Sequence, residues 1–349
     1  MKILGIETSC DECAAAVVED GKTILSNVVA TQIPFHAAYK GVVPEIASRK
    51  HTEWINLVVQ EALEKASLKA EDIEAVAATA HPGLLGSLIV GLSFAKAFAW
   101  ARSIPFIAVD HMLAHLYAPR LVFKNSAGDG ANEVGYPFLG LLVSGGHSII
   151  CRADNFDDIT VLGATIDDAA GEAFDKIAKH YDFGYPGGEA IDKLAAKGDD
   201  SVFNFPLPNL YKGDHRYDLS YSGLKTAVVN QLDLFRVGKQ KEGGDKPEDI
   251  AASFQKTAIN IVLRSLFRAA DDTGLSTIVA GGGVAANSRL RCLLAERPGY
   301  LCIFPPLELC GDNGAMVAGL GYQYLARGEV SSLKATASAR VKSFKRRYP

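Results

Sequence analysis

The stretch "VDHMLAHLYAP" (109–119) carries His111 and His115, two of the eight histidines in the chain. Asp110 can cap a helix and Pro119 can end it. Between them the two imidazoles fall one turn apart on a single face. That spacing allows both to grip one metal ion, as in zincins. The intervening residues are Met112, Leu113 and Ala114, so a zincin's general-base glutamate is absent. This argues against a metalloprotease. The pair equally fits two polar positions on an ordinary helix surface. A third candidate ligand is Asp312, in "PPLELCGDNGAMVAG" (305–319). It follows the last strand-like run of the second half of the chain, as His111 follows that of the first. If an approximate two-fold axis relates the halves, both helix starts point into one cleft. Two neutral imidazoles and a carboxylate then converge with coordination positions left open, a set that suits zinc or non-haem iron(II). The plain alternative for Asp312 is a helix cap.

Glycine turns offer a second kind of chemistry. "LVSGGH" (142–147) sets Ser144, Gly145 and Gly146 between apolar strands, where backbone N–H groups can approach a phosphate or carboxylate. A plain hairpin turn reads the same way. "VAGGGVAAN" (279–287) runs from a strand through three glycines towards a helix, and a helix N-terminus there can meet an anion or nucleotide. It is neither G-x-G-x-x-G nor a Walker A sequence. In "DDAAGEAFDKIAKHY" (167–181), Asp168, Glu172 and Asp175 share a helix face that could meet a ribose. A solvated face is the default for such carboxylates. "YPGGEAID" (185–192) turns into a helix with Gly187 and Gly188 able to approach a ligand. Cys10 and Cys13 form C-x-x-C without a second pair to complete a zinc site. The tail "ARVKSFKRRYP" carries Arg340, Lys342, Lys345, Arg346 and Arg347, a soluble end that can also lie along a phosphate backbone.

The elements that must position these residues repeat. "KILGIE" (2–7), "AAAVVE" (14–19) and "TILSNVVA" (23–30) read as a three-strand meander. A helix follows near 45–66, then a strand (75–80), a helix near 84–102 and a strand (105–110) that ends at the histidine pair. The second half runs likewise. Strands occupy 137–153 and 159–165, helices lie near 168–182 and 248–273, a strand at 277–282 leads to a helix, and a last strand (300–305) precedes a helix opening near Asp312. The polar, Gly-rich residues 124–136 are the expected linker. The expected division is 1–124 and 134–349, with an insertion at 183–247 that includes the charged tract "GKQKEGGDKPED". Two α/β halves around a cleft place ligands beyond the carboxyl ends of the strands.

Bulk properties exclude other classes. The chain has 349 residues, is 48% hydrophobic and 22% charged, and has a net charge of -4, so it is not a basic nucleic-acid binder as a whole. It has no apolar run of membrane-spanning length and opens directly on a strand rather than a signal peptide. Six scattered cysteines favour free thiols. A cytoplasmic protein is expected.

Ten stretches together closely resemble the TsaD family (formerly Gcp or YgjD). They are "GIETSCDE" (5–12), "GVVPEIASRKH" (41–51), "PGLLGSLIVG" (82–91), "HMLAH" (111–115), "LLVSGGH" (141–147), "TIDDAAGEAFDK" (165–176), "YPGG" (185–188), "SYSGLKT" (220–226), "GGGVAAN" (281–287) and "CGDNGAMVA" (310–318). The resemblance implies an actin-like, Hsp70-like (ribonuclease H-like) fold of two halves around a central cleft. It implies transfer of a threonylcarbamoyl group from threonylcarbamoyl-AMP to adenosine N6 in tRNA, with ATP, ADP or AMP possible in the same site. It further implies one divalent ion, iron(II) or zinc, on His111, His115 and Asp312. Contacts to the nucleotide-bearing substrate would come from Leu142, Val143, Ser144, Gly145, Gly146, Asp175, Gly188, Asp192 and Asn287. Glu12 or Asp11 is the expected proton acceptor. The implied partners are tRNA and TsaB-like and TsaE-like proteins. Five positions depart from the family's usual residues: Lys40, His81, Cys13, Glu189 and Gly311. The alternatives are a kinase or ATPase scaffold of the same fold and a metal-dependent endopeptidase.

Overall fold

The structure is a computed structural model that describes residues 1–39, 41–124, 134–210, 215–236 and 246–346. Lys40, most of the expected linker, the first eight residues of the charged tract (238–245) and Arg347 lie outside the described residues. The chain divides into two compact units. Unit 1 comprises Met1–Gly135, Asn155–Asp158 and Pro305–Phe344, and unit 2 comprises Tyr136–Asp154, Ile159–Phe304 and Lys345–Pro349.

The sheet of unit 1 uses β1 (Lys2–Glu7), β2 (Glu12–Glu19), β3 (Thr23–Thr31), β4 (Ala75–His81), β5 (Phe106–Asp110) and β6 (Val122–Phe123), in the order β5-β4-β1-β2-β3-β6. The β1–β2–β3 meander is antiparallel, while β4 runs parallel to β1 and β5 parallel to β4. Helices α1 (Ile33–His36), α2 (Pro44–Lys65), α3 (Leu85–Arg102) and α4 (His111–Tyr117) connect them. β1 and β2 are buried almost throughout, as strands covered on both faces must be. One cover is an apolar cluster of Leu4, Ile6, Val17, Val58, Val59 and Leu92 under α2 and α3.

Unit 2 repeats the topology. Its strands are β7 (Phe138–Val143), β8 (Ser148–Ala153), β9 (Ile159–Ala164), β10 (Thr277–Gly281), β11 (Leu301–Ile303) and β12 (Phe344–Arg346), in the order β11-β10-β7-β8-β9-β12. Its helices are α5 (Ala170–Tyr181), α6 (Gly187–Ala195), α7 (Ser222–Arg236), α8 (Pro247–Thr273) and α9 (Ser288–Ala295). The segment expected as an insertion thus contains α6 and α7. The longest helix, α8, buries Ile250, Phe254, Ile261 and Leu266.

The last helix, α10 (Gly314–Ala326), does not follow the contiguous division read from sequence. Residues 305–344 were expected in the C-terminal half, but they pack in unit 1. The physical reason lies in residue size. A Cβ on Gly5 would sit 2.1 Å from the Gly314 carbonyl oxygen, and one on Gly314 would sit 2.6 Å from the Ala16 nitrogen. Helix and sheet therefore touch backbone to backbone, which only a glycine pair over the Ala14–Ala16 run permits. This contact carries Asp312 to its place. Gly314→Ala is expected to destabilise unit 1 by about 1–3 kcal/mol through overpacking. A chemical denaturation midpoint equal to that of the unsubstituted protein would contradict the assignment.

Candidate functional site

Two histidines and an aspartate meet within unit 1. His111 and His115 lie on α4, whose first turn is capped by Asp110 Oδ1 accepting from the Met112 and Leu113 amides. Asp312 stands two residues before α10. It is not that helix's cap: Asn313 Oδ1 accepts from the Met316 amide at 2.9 Å. His115 Nε2 is 3.1 Å and His111 Nε2 3.5 Å from Asp312 Oδ1. One ligand atom from each of the three residues lies within 4.8 Å of the others. The three residues lie inside one compact unit, whereas the expected two-fold relation set Asp312 in the other half.

The donor set fits a divalent cation. His111 Nδ1 is 2.9 Å from Glu7 Oε2. A carboxylate can only accept, so Glu7 faces the ring as an acceptor at Nδ1. Ser9 joins the network, its hydroxyl 3.3 Å from His111 Nδ1 and 3.5 Å from Asp312 Oδ2. The second imidazole has a buried Nδ1 without a hydrogen-bond partner among the described residues.

These contacts set the protonation of the ion-free cluster. Burial works against the His111 imidazolium, but the Asp312 and Glu7 carboxylates outweigh it and raise its pKa to about 10. Burial would likewise raise Asp312, yet the facing His111 and the His115 hydrogen bond hold it well below the usual carboxylate range. A cation must displace the His111 proton. Apparent metal affinity is therefore expected to rise about tenfold per pH unit between roughly pH 7 and 9, with about one proton released per ion. Calorimetry in buffers of different ionisation enthalpy measures that proton directly, and a pH-independent affinity would contradict it. In the ion-free protein the sign is opposite. The raised His111 pKa stabilises the fold fully below about pH 6.5. That contribution is lost as pH rises through about 10.

At the start of β2, Glu12 Oε1 accepts from the Thr31 hydroxyl at 3.5 Å. Its pKa is pushed well above the ordinary value, first by burial and then by the charges of Asp11 and Asp312.

Unit 2 gathers the residues expected to meet a nucleotide into separate small networks. Leu142 and Val143 end β7, and Ser144–His147 form the turn into β8, with the Ser144 amide donating to the His147 carbonyl at 2.8 Å. A Cβ on Gly145, Gly146 or Gly188 would meet nothing within 4 Å, so these backbones border open space. Gly282 requires its φ of +92°, and a Cβ there would strike the Val143 carbonyl at 2.5 Å. Asp192 accepts from Gln255, from Asn287 Nδ2 at 3.2 Å and from the Ser288 hydroxyl at 2.8 Å. Asp175 Oδ1 accepts from the Gly187 amide at 2.8 Å. The expected ribose face is not intact. Asp168 precedes α5 and is bound to Lys176 and Lys225, and Lys176 also holds Glu172.

A family model described as TsaD, tRNA N6-adenosine threonylcarbamoyltransferase, matches residues 23–319. The chain belongs to the TsaD family. A protein named tRNA N6-adenosine threonylcarbamoyltransferase from Treponema denticola is 62% identical over 347 residues, covering 99% of both chains. One of the same name from Borreliella burgdorferi (strain ZS7) is 49% identical, covering 100% of this chain and 96% of that one. Among solved structures, component A of the Acidaminococcus fermentans (R)-2-hydroxyglutaryl-CoA dehydratase aligns with TM-score 0.54 at 17% identity, covering 93% of this chain and 99% of that one. HypF of T. kodakarensis aligns with TM-score 0.59 at 16% identity, covering 93% and 48%. At such identities the likeness is one of fold, two mixed α/β units of the actin-like, Hsp70-like (ribonuclease H-like) kind.

Within this TsaD chain the departing residues fit their surroundings. Cys13 is buried on β2 and burial pushes its thiol up to about 12, so the C-x-x-C spacing does not make a reactive pair. His81 ends β4 with Nε2 3.5 Å from Asp110 Oδ2 and 3.4 Å from the Ser343 hydroxyl. The added charge of Glu189 is paired with Lys193 one turn on. A Cβ on Gly311 would meet open space. One residue in contact with the histidine–aspartate cluster has no role in the expectations drawn from sequence. Glu7 closes the apolar run "KILGIE", and a charge at the end of a core strand calls for partners. That signal was available.

Proposed function

We propose that the protein transfers the threonylcarbamoyl group from threonylcarbamoyl-AMP to N6 of the adenosine 3′ of the anticodon in tRNAs reading codons that begin with A. The full-length identity to transferases bearing that name carries the reading. The His111–His115–Asp312 cluster supports its chemistry.

In this reading those three residues hold one divalent ion, iron(II) or zinc. When bound, such an ion supplies Lewis-acid polarisation of the acyl carbonyl, worth about several kcal/mol. The chain's own groups do the rest. Leu142–Gly146, Asp175, Gly188, Asp192 and Asn287 hold the nucleotide part of the donor, and ATP, ADP or AMP can take the same place. Amides of the Ser144–Gly146 turn stabilise the phosphate or the developing charge. The Ser144 amide is engaged with His147, which leaves that role to Gly145 and Gly146. The adenosine amine attacks the carbamoyl carbon, AMP departs, and the amine's proton passes to Glu12 or Asp11. A raised Glu12 pKa suits that task better than an ordinary carboxylate does.

The partners in this reading are tRNA and TsaB-like and TsaE-like proteins, in the cytoplasm. Among the described residues no helix is long and apolar enough to cross a membrane. A sugar-kinase chemistry is disfavoured because Mg²⁺ prefers oxygen ligands to paired imidazoles. An endopeptidase is disfavoured because Met112 follows His111 where a zincin needs glutamate. Purified protein is incubated with tRNA, threonylcarbamoyl-AMP and the two partner proteins, and the digested nucleosides are weighed by mass spectrometry. Threonylcarbamoyladenosine is the expected product. ATP turnover without any modified base would favour the kinase or scaffold instead.

A further inference from the structure

We infer that Glu7 is a positioning residue for the metal cluster, fixing His111 in the tautomer that leaves Nε2 as its ligand atom. The inference rests on the metal reading above. Glu7 is fully buried. Its two oxygens are used by three donors with different freedoms. Oε1 accepts from the Ser9 amide at 2.5 Å, a donor that cannot be reversed. Oε2 accepts from the Thr79 hydroxyl at 2.5 Å and from His111 Nδ1 at 2.9 Å. The Thr79 hydroxyl can rotate to accept, and a neutral imidazole can change tautomer to do so. Only a carboxylate serves all three donors at once and demands the proton at Nδ1.

A glutamine at this position makes the consequence specific. Its amide oxygen must stay on the Ser9 amide, so its NH₂ group takes the place of Oε2. Thr79 then accepts by rotation, and His111 accepts at Nδ1. The ring is driven to the Nε2–H tautomer, and the atom 3.5 Å from Asp312 Oδ1 is blocked by a proton. His115 has no such control, since its Nδ1 lacks a hydrogen-bond partner among the described residues. The effect should therefore be confined to one of the two rings.

The test uses the full chain titrated with zinc. Glu7→Gln is expected to weaken zinc binding about 10- to 100-fold, the usual penalty for losing a carboxylate behind a histidine ligand. Thr79→Val, which removes a neighbouring Glu7 donor without touching the tautomer, should change affinity by less than about threefold. Nitrogen NMR of zinc-loaded, ¹⁵N-histidine-labelled protein should show the His111 proton at Nδ1 in the unsubstituted chain. If Glu7→Gln does not fold, that spectrum alone decides: a His111 proton at Nε2 overturns the inference. Equal zinc affinity in Glu7→Gln and the unsubstituted chain overturns it while leaving the metal reading intact. No zinc uptake by the unsubstituted chain overturns both.

Discussion

Asp312→Asn is expected to abolish binding of the proposed metal ion while leaving the fold in place. The substitution keeps volume and removes the carboxylate that, among the described residues, faces both imidazole Nε2 atoms, at 3.1 and 3.5 Å. A protein metal site is worth about 10–16 kcal/mol, so one of three ligands carries about 4 kcal/mol and its loss weakens binding about 1,000-fold. Helix α10 should survive because Asn313, not Asp312, caps it. Metal content after dialysis, read by elemental mass spectrometry, should fall from about one ion per chain to near zero, with circular dichroism unchanged. Full occupancy in the variant would remove Asp312 from the site. The same variant should form almost no threonylcarbamoyladenosine, because the cluster's chemistry goes with the ion.

The second large effect separates proton transfer from metal binding. Glu12→Gln should keep its ion, since Glu12 is outside the three-residue cluster. It should lose about 10²- to 10⁴-fold in turnover, the usual contribution of a positioned base. The pH profile adds a check on the sign. Burial first and then Asp11 raise the pKa of Glu12, so the rate in the unsubstituted protein should fall on acidification from a higher pH than a free carboxylate would give. In the glutamine variant that acidic limb should disappear. Near-normal turnover with metal bound would exclude Glu12 and move the role to Asp11 or elsewhere.

How much of this was readable in the chain depended on distance along the sequence. The pattern of three strands followed by alternating helices and strands was legible in both halves, because periodicity and turn residues are local. His111 and His115 were legible as a pair because four residues of helix bring them together. Asp312 was found by analogy between the halves, but its true neighbourhood was not. Its position depends on Gly5 meeting Gly314, a backbone contact between residues more than three hundred apart that no local pattern announces. Glu7 was overlooked for a related reason. Its role is set by Ser9, Thr79 and His111, which come from a turn, β4 and α4. The supposed ribose face failed because helical spacing ignores Lys225, a residue of α7 that claims Asp168.

Two imidazoles and one carboxylate of unit 1 are proposed to hold a single cation. Crystals of protein purified without chelator, measured above and below the absorption edge of the metal found by fluorescence, test that proposal most directly. One anomalous peak is expected about 2 Å from His111 Nε2, His115 Nε2 and an oxygen of Asp312. A peak held by other residues, or three side chains splayed apart around no ion, would contradict it.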